Sequence, residues 1–199
     1  AFAVGSIFSL ICGCNPFTLY GYIIKKAFFS LGGILNTLGY TTPIIITGIA
    51  TALSIRANMY NMGIEGQVFL GAFTAALAGY MIKGLPPVLH VTLCLLIGAA
   101  FGALYALIPG LLKAKLRVNE VVTTVMLNSI ATQVTGFLTQ SYLGTGDAYA
   151  PTEFIEQSAR LAKLNSKYRC TTALFIALAI WLVLYFVLKK TKFGYEIDC

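Results

Sequence analysis

The stretch Arg56-Ala-Asn-Met-Tyr-Asn-Met-Gly-Ile-Glu-Gly66 is polar and glycine-bearing, and it separates two apolar runs, Pro43 to Ile55 and Gln67 to Ile82. At about 1.5 Å of rise per residue those runs would reach roughly 20 and 24 Å as helices, short of the ~30 Å hydrocarbon core of a bilayer. Glycines permit unwinding, and unwound backbone at membrane depth survives only when it is buried in protein or lines a polar cavity. Two short apolar segments flanking such a stretch therefore point to a discontinuous helix pair around residues 56–67, the kind of element that forms a transport site. The pattern also allows a plain turn at the cytoplasmic face, with Arg56 and Glu65 solvated.

Working outward, the whole chain favours lipid as its solvent. It has 199 residues, of which 58% are hydrophobic and 11% charged, and its mean hydropathy is +0.81. A soluble domain carries about a quarter charged residues, so there is too little polar surface here to coat a water-facing sphere. The expected fold class is all-α, a polytopic transmembrane helical bundle. The net charge of +7 does not indicate nucleic acid, because the basic residues sit at the ends of apolar runs instead of interleaving with aromatics. Five scattered cysteines and a single histidine, His90, give neither a disulfide framework nor a zinc site. Cys12-Gly-Cys14, inside an apolar run, reads as a pair of small hydrophobes.

Measured against the length of a membrane span, Ala1 to Gly13 reads as the tail of a span whose start is missing. Asn15 to Thr42, with Lys25 and Lys26, reads as an amphipathic polar-aromatic connection. After the Lys83-Gly-Leu-Pro-Pro87 break, Val88 to Leu112 is long enough to cross, with Pro109-Gly110 expected to kink or end it. Val118 to Leu143 and Thr171 to Leu188 are the next two spans. The clusters Lys113, Lys115, Arg117 and Lys189, Lys190, Lys192 belong in the cytoplasm by the positive-inside rule, and two crossings separate them. That leaves residues 144–169 as an extracellular loop. Its basic residues Arg160, Lys163, Lys167 and Arg169, set against Asp147, Glu153 and Glu156, weaken the charge argument without reversing it.

Within Val118 to Leu143, the side chains of Glu120, Thr124, Asn128, Thr132, Thr135 and Thr139 fall on an arc of roughly 120°. A polar stripe on a membrane helix either lines a water-filled path or bonds to neighbouring helices, and threonine can bond its own preceding carbonyls. Both arrangements fit the spacing. Asparagine and glutamate are the costlier of these to place in hydrocarbon. Gly71, Ala75 and Gly79, like Gly98 and Gly102, form small-residue ridges suited to close helix packing.

Three blocks carry a resemblance. Asn61-Met-Gly63-Ile-Glu65-Gly66-Gln67 resembles the N-I-G-x-E-G-Q signature of permease subunits of ATP-binding-cassette importers in the ribose and nucleoside branch. Leu112-Lys-Ala-Lys-Leu-Arg-Val-Asn119-Glu120-Val-Val-Thr-Thr-Val-Met-Leu-Asn128 is similar to that family's K-A-x-x-x-V-N-E-V-x-x-T-x-M-L-N block. Thr191-Lys-Phe-Gly194-Tyr-Glu-Ile197 is similar to its T-x-F-G-x-x-I-R-A-V-G cytoplasmic loop. Order and spacing agree from about Asn15 to Ile197. The Glu-Gly-Gln and Val-Asn-Glu-Val forms resemble the nucleoside group more than the sugar permeases.

The resemblance implies a multi-pass subunit of the bacterial cytoplasmic membrane, in contact with lipid, that conducts nucleosides or related simple sugars. It implies a partner ATP-binding-cassette ATPase, a second permease subunit and an extracellular binding protein or lipoprotein. Asn58, Asn61, Glu65, Gln67, Glu120, Thr124 and Asn128 become candidates for the substrate pathway. Lys192, Phe193, Gly194, Tyr195 and Glu196 become candidates for the loop that couples to the ATPase. No catalytic residue, metal ligand or cofactor is implied. Where the family continues with an arginine and further spans, this sequence ends on Asp198-Cys199. The expectation is a partial permease domain over residues 1–199, lacking its start and its carboxy-terminal half, through excision or a broken gene.

Two other classes fit less well. The chain has no Gly-x-x-x-x-Gly-Lys-Ser/Thr phosphate loop, so ATP hydrolysis is expected in a partner. A membrane-embedded enzyme would need a nucleophile-base pair, a metal cluster or paired carboxylates, and the sequence offers none. An ion-driven secondary transporter stays open, with Glu65 or Glu120 as the proton carrier.

Overall fold

The computed structural model describes residues 2–142, 155–162 and 170–198. Its helices are α1 (Phe2–Ile11), α2 (Pro16–Phe28), α3 (Leu31–Arg56), α4 (Ile64–Met81), α5 (Pro87–Leu116), α6 (Glu120–Tyr142), α7 (Ala173–Lys190) and α8 (Lys192–Asp198), with a 3₁₀ turn at Gln157–Ala159. Four of them, α3, α5, α6 and α7, are long and apolar enough to cross a membrane. Large apolar side chains point outward along them, as with Leu96, Phe137 and Phe175, which is the arrangement expected where lipid replaces water as the surrounding solvent. The architecture is thus all-α and polytopic, and the helix pair is interrupted between Arg56 and Ile64.

The chain divides into two compact units, Ala1–Ile46 with Ala162–Val183, and Thr47–Leu161 with Leu184–Cys199. In the first, α1 and α2 bend by 118° at a short break. Asn15 caps α2 by accepting from the Phe17 N–H at 3.0 Å, and Pro16 takes the first helical position. Tyr20 folds back to donate its hydroxyl to the Phe2 carbonyl at 2.8 Å.

The expected connection over residues 15–42 is therefore mostly helix. It comprises α2 and the first half of α3, which runs unbroken through Pro43 to Arg56. Backbone groups in a medium without water must bond internally, so polar residues there do not release the helix. The hydroxyls of Thr41 and Thr42 bond the Thr37 and Leu38 carbonyls, at 2.7 and 2.9 Å, just before the proline.

The second unit holds α4, α5 and α6. Here α5 also outruns expectation, passing through Pro109-Gly110 and closing only at Arg117, which adopts a left-handed cap with φ of 52°. Proline removes one helical hydrogen bond without obliging the helix to end. The small-residue ridges on α4 and α5 face each other. A Cβ built on Gly71 would lie 2.9 Å from the Gly98 carbonyl oxygen, and one on Gly98 would lie 2.8 Å from the Gly71 carbonyl oxygen. Backbones this close leave no room for a side chain. Gly98→Leu should lower the melting temperature of the detergent-solubilised full-length permease by several degrees, since overpacking costs roughly 1–3 kcal/mol; an unchanged melting profile would contradict the packing.

Within the expected loop over 144–169, residues 155–162 are described, and residues 155–161 lie against α4 and α5. The Glu156 N–H donates to the Gly79 carbonyl at 3.3 Å. His90, fully buried in the first turns of α5, pairs through Nδ1 with the Ser158 hydroxyl at 2.8 Å. The remainder of residues 144–169 is outside the described residues.

Candidate functional site at the helix break

The break begins where α3 ends. Asn58 is left-handed, with φ of 55°. Its N–H bonds the Ile55 carbonyl, and the Met59 N–H reaches back to the Ser54 carbonyl, both at 3.0 Å. This pair of bonds is the Schellman closure, with asparagine in the place glycine most often takes. The Ser54 hydroxyl adds a bond to the Met59 carbonyl at 2.9 Å.

Lys113, near the end of α5, reaches across to this cap. Its Nζ donates to the Asn58 carbonyl and to Glu120 Oε1, both at 2.7 Å. One ammonium group thus ties the start of the break to the first residue of α6. In the sequence Lys113 belongs to a topology-setting basic cluster, and the acidic residue seven positions on, Glu120, is the signal for this second role.

The remainder of the break is fastened to α6. Asn61 Oδ1 accepts from the Gly63 N–H at 2.7 Å, turning the chain into α4. The Met62 N–H donates to Thr124 Oγ1 at 3.1 Å. Asn128 uses both ends of its amide: Nδ2 donates to the Met62 carbonyl at 2.6 Å, and Oδ1 accepts from the Gly66 N–H at 2.7 Å. Unwinding deprives Met62 of its helical partners, and Gly66 is one of the first-turn donors that every helix leaves open. Two side chains one turn apart on α6 satisfy all three groups.

The remaining threonines of the stripe bond within α6. Thr132, Thr135 and Thr139 donate to the Asn128, Ala131 and Thr135 carbonyls at 2.9, 2.7 and 2.6 Å. Below them, the Tyr105 hydroxyl of α5 donates to the Leu127 carbonyl at 2.7 Å.

The seven candidate pathway residues therefore lie in one region of the second unit with different surroundings. Glu65 and Asn58 are exposed, and Gln67 is half-buried on α4. Asn61, Glu120, Thr124 and Asn128 hold the backbone or one another. Glu65 stands in the first turn of α4, where a carboxylate is favoured by the helix dipole. Among the described residues, no three of His, Cys, Asp and Glu converge on a space that could hold a metal.

The candidate coupling residues lie on α8. Gly194 is buried, and a Cβ there would overlap the Leu188 carbonyl of α7, so the turn between the two helices closes on bare backbone. Lys192 and Tyr195 are exposed.

Comparison with known proteins identifies a family. Residues 33–198 match the family model described as the branched-chain amino acid transport system permease component. The guanosine ABC transporter permease protein NupP of Bacillus subtilis is 30% identical over 98% of this chain and 57% of its own length. The glucose ABC transporter permease protein TsgB13 of Haloferax volcanii is 29% identical over 99% of the chain and 54% of its length. The nucleoside ABC transporter permease protein NupB of Lactococcus lactis is 28% identical over 98% and 56%. The chain thus spans about half the length of these curated relatives. No solved structure matches it. A family match that runs from α3 to α8, on an all-α polytopic chain broken between Arg56 and Ile64, makes this protein a multi-pass member of the ABC-transporter permease family.

Proposed function

We propose that the chain forms part of the membrane route by which an ABC importer moves nucleosides, or related simple sugars, into the cell. The observation that carries the reading is the helix break over residues 57–63, whose backbone is bonded by Lys113 of α5 and by Thr124 and Asn128 of α6. Irregular backbone of this kind is maintained at membrane depth where it borders a polar route. Relatives named for guanosine, nucleosides and glucose support the substrate class, and the Glu65-Gly66-Gln67 and Val118-Asn119-Glu120-Val121 forms favour the nucleoside. A neutral nucleoside offers hydroxyls and base edges, for which asparagine, glutamine and glutamate supply donors and acceptors. Asn58, Asn61, Glu65, Gln67, Glu120, Thr124 and Asn128 line or frame the route.

A separate ATPase provides the driving force, a second permease subunit completes the wall, and an extracellular binding protein delivers substrate. The α8 segment, Lys192, Phe193, Gly194, Tyr195 and Glu196, is the part that meets the ATPase. In proteoliposomes holding the full-length permease with these partners, labelled nucleoside should accumulate with ATP and not with an imposed proton gradient. Asn128→Leu should reduce that uptake several-fold with membrane insertion preserved. Uptake driven by the proton gradient alone would overturn the reading in favour of an ion-coupled carrier.

A further inference from the structure

The polar stripe of α6 admits two roles, lining a route or joining helices, and the hydrogen bonds distinguish a third. We infer that Thr124 and Asn128 are positioning residues: they fix the end of the break at Met62 and the first turn of α4, and so hold Tyr60 and Met62 outward. The inference rests on the reading of the break as part of the transport route, and goes beyond it by assigning the stripe's action to the backbone instead of to substrate contact.

The geometry carries this in three steps. First, toward the break and the start of α4 the two side chains bond only main-chain atoms: Met62 N, Met62 O and Gly66 N. A bond to main chain constrains conformation regardless of which side chain the break bears. Second, the Thr124 hydroxyl is sealed from solvent and bonded on both its donor and its acceptor side. Its proton goes to the Glu120 carbonyl at 2.7 Å and its lone pair accepts from Met62, and the residue is completely buried. It is closed to a passing solute. Third, Tyr60 and Met62 remain more than half exposed, and Asn58 is exposed, as is Glu65 in the first turn of α4, so the break and the turn after it carry the exposed side chains.

The amide of Asn128 does for the break what an adjacent peptide group does in regular structure, donating and accepting in one plane. An aspartate would keep the acceptor for Gly66 but turn a second oxygen toward the Met62 carbonyl. A leucine would remove the side-chain partner of both backbone groups and with it the constraint on the break.

Thr124→Val tests this, because it retains the branched shape and removes only the oxygen. The assay is the full-length permease with its ATPase and binding protein in proteoliposomes, with Cys12, Cys14 and Cys199 replaced by alanine and a reporter thiol introduced by Tyr60→Cys. In the Thr124→Val background a small polar thiol reagent should label the reporter about fivefold faster or more, the change in an opening equilibrium that loss of one such hydrogen bond produces. The KM for nucleoside uptake should rise while the maximal rate changes less, since fewer molecules hold the receptive conformation. Thr124→Ser, which returns the oxygen, should reverse both changes. Asn128→Ser, too short to reach either backbone group, should act in the same direction and serves if the valine variant does not reach the membrane. Labelling and KM unchanged in both variants would overturn the inference. Faster labelling without a shift in KM and without protection by nucleoside would support the positioning role and overturn the route itself.

Discussion

Gly66→Val in the full-length permease is expected to reduce the initial uptake rate, per molecule in the membrane, by tenfold or more. A Cβ at this position would lie 2.9 Å from Asn128 Oδ1, 3.0 Å from the Ala131 Cβ and 3.1 Å from the Asn128 Cα. Two of those three neighbours are rigidly attached to the α6 backbone and cannot rotate aside. The first turn of α4 must then move away from α6, which stretches the 2.7 Å bond from the Gly66 N–H to Asn128. Overpacking costs roughly 1–3 kcal/mol and an unpaired buried donor a similar amount, so the native seating of the break becomes a minor state. The check is uptake normalised to surface-exposed protein. A rate within twofold of the parent would show that the contact between α4 and α6 is not needed for transport.

The second large effect is expected at Gly194. Its Cβ position is occupied by the Leu188 carbonyl of the preceding helix, so any side chain forces α8 to leave its place against the end of α7. If α8 transmits closure of the ATPase, Gly194→Leu should leave nucleotide hydrolysis running while uptake falls below a tenth of the parent rate, a loss of about 1.4 kcal/mol or more in coupling. Hydrolysis and uptake measured on the same vesicles decide it. Unchanged stoichiometry between them would reduce α8 to a basic flank that anchors the end of a span, through Lys189, Lys190 and Lys192.

Much of the break was legible because two independent constraints agree on it. Gly63 and Gly66 stand where a helix would have to restart, and the run before α5 is too weak to cross alone. The run Pro43 to Ile55 looked equally short only because the polar residues before it hid the first half of α3, which with them is long enough to cross. The stripe on α6 was equally visible, since its period is that of a helix. Its partners were not, because an Asn128 side chain aimed at backbone and one aimed at solute leave the same spacing in the sequence. Lys113 was hidden by its company, for a lysine in a basic cluster at the end of a span already has a sufficient explanation.

The first half of α3 was obscured by composition. Asn36, Thr37, Thr41 and Pro43 belong to loops in water, but hydroxyl-to-carbonyl bonds and an environment intolerant of free peptide groups keep them helical. The Asn15-Pro16 pair that starts α2 was a usable capping signal.

The contact of Gly71 with Gly98 bears on how the protein comes to be in the membrane. Unlike α5 and α6, α4 is not among the helices apolar enough to cross on their own, and it carries an exposed carboxylate, Glu65, in its first turn. A weak segment emerging first has little reason to leave the translocation channel until its neighbour arrives. Only residues 82–86 separate α4 from α5, and the two glycines let them meet without any side chain having to find its slot. The pair is thereby suited to partition into lipid together, as a hairpin whose second arm draws in the first, and the break would take its final form only after α6 has followed.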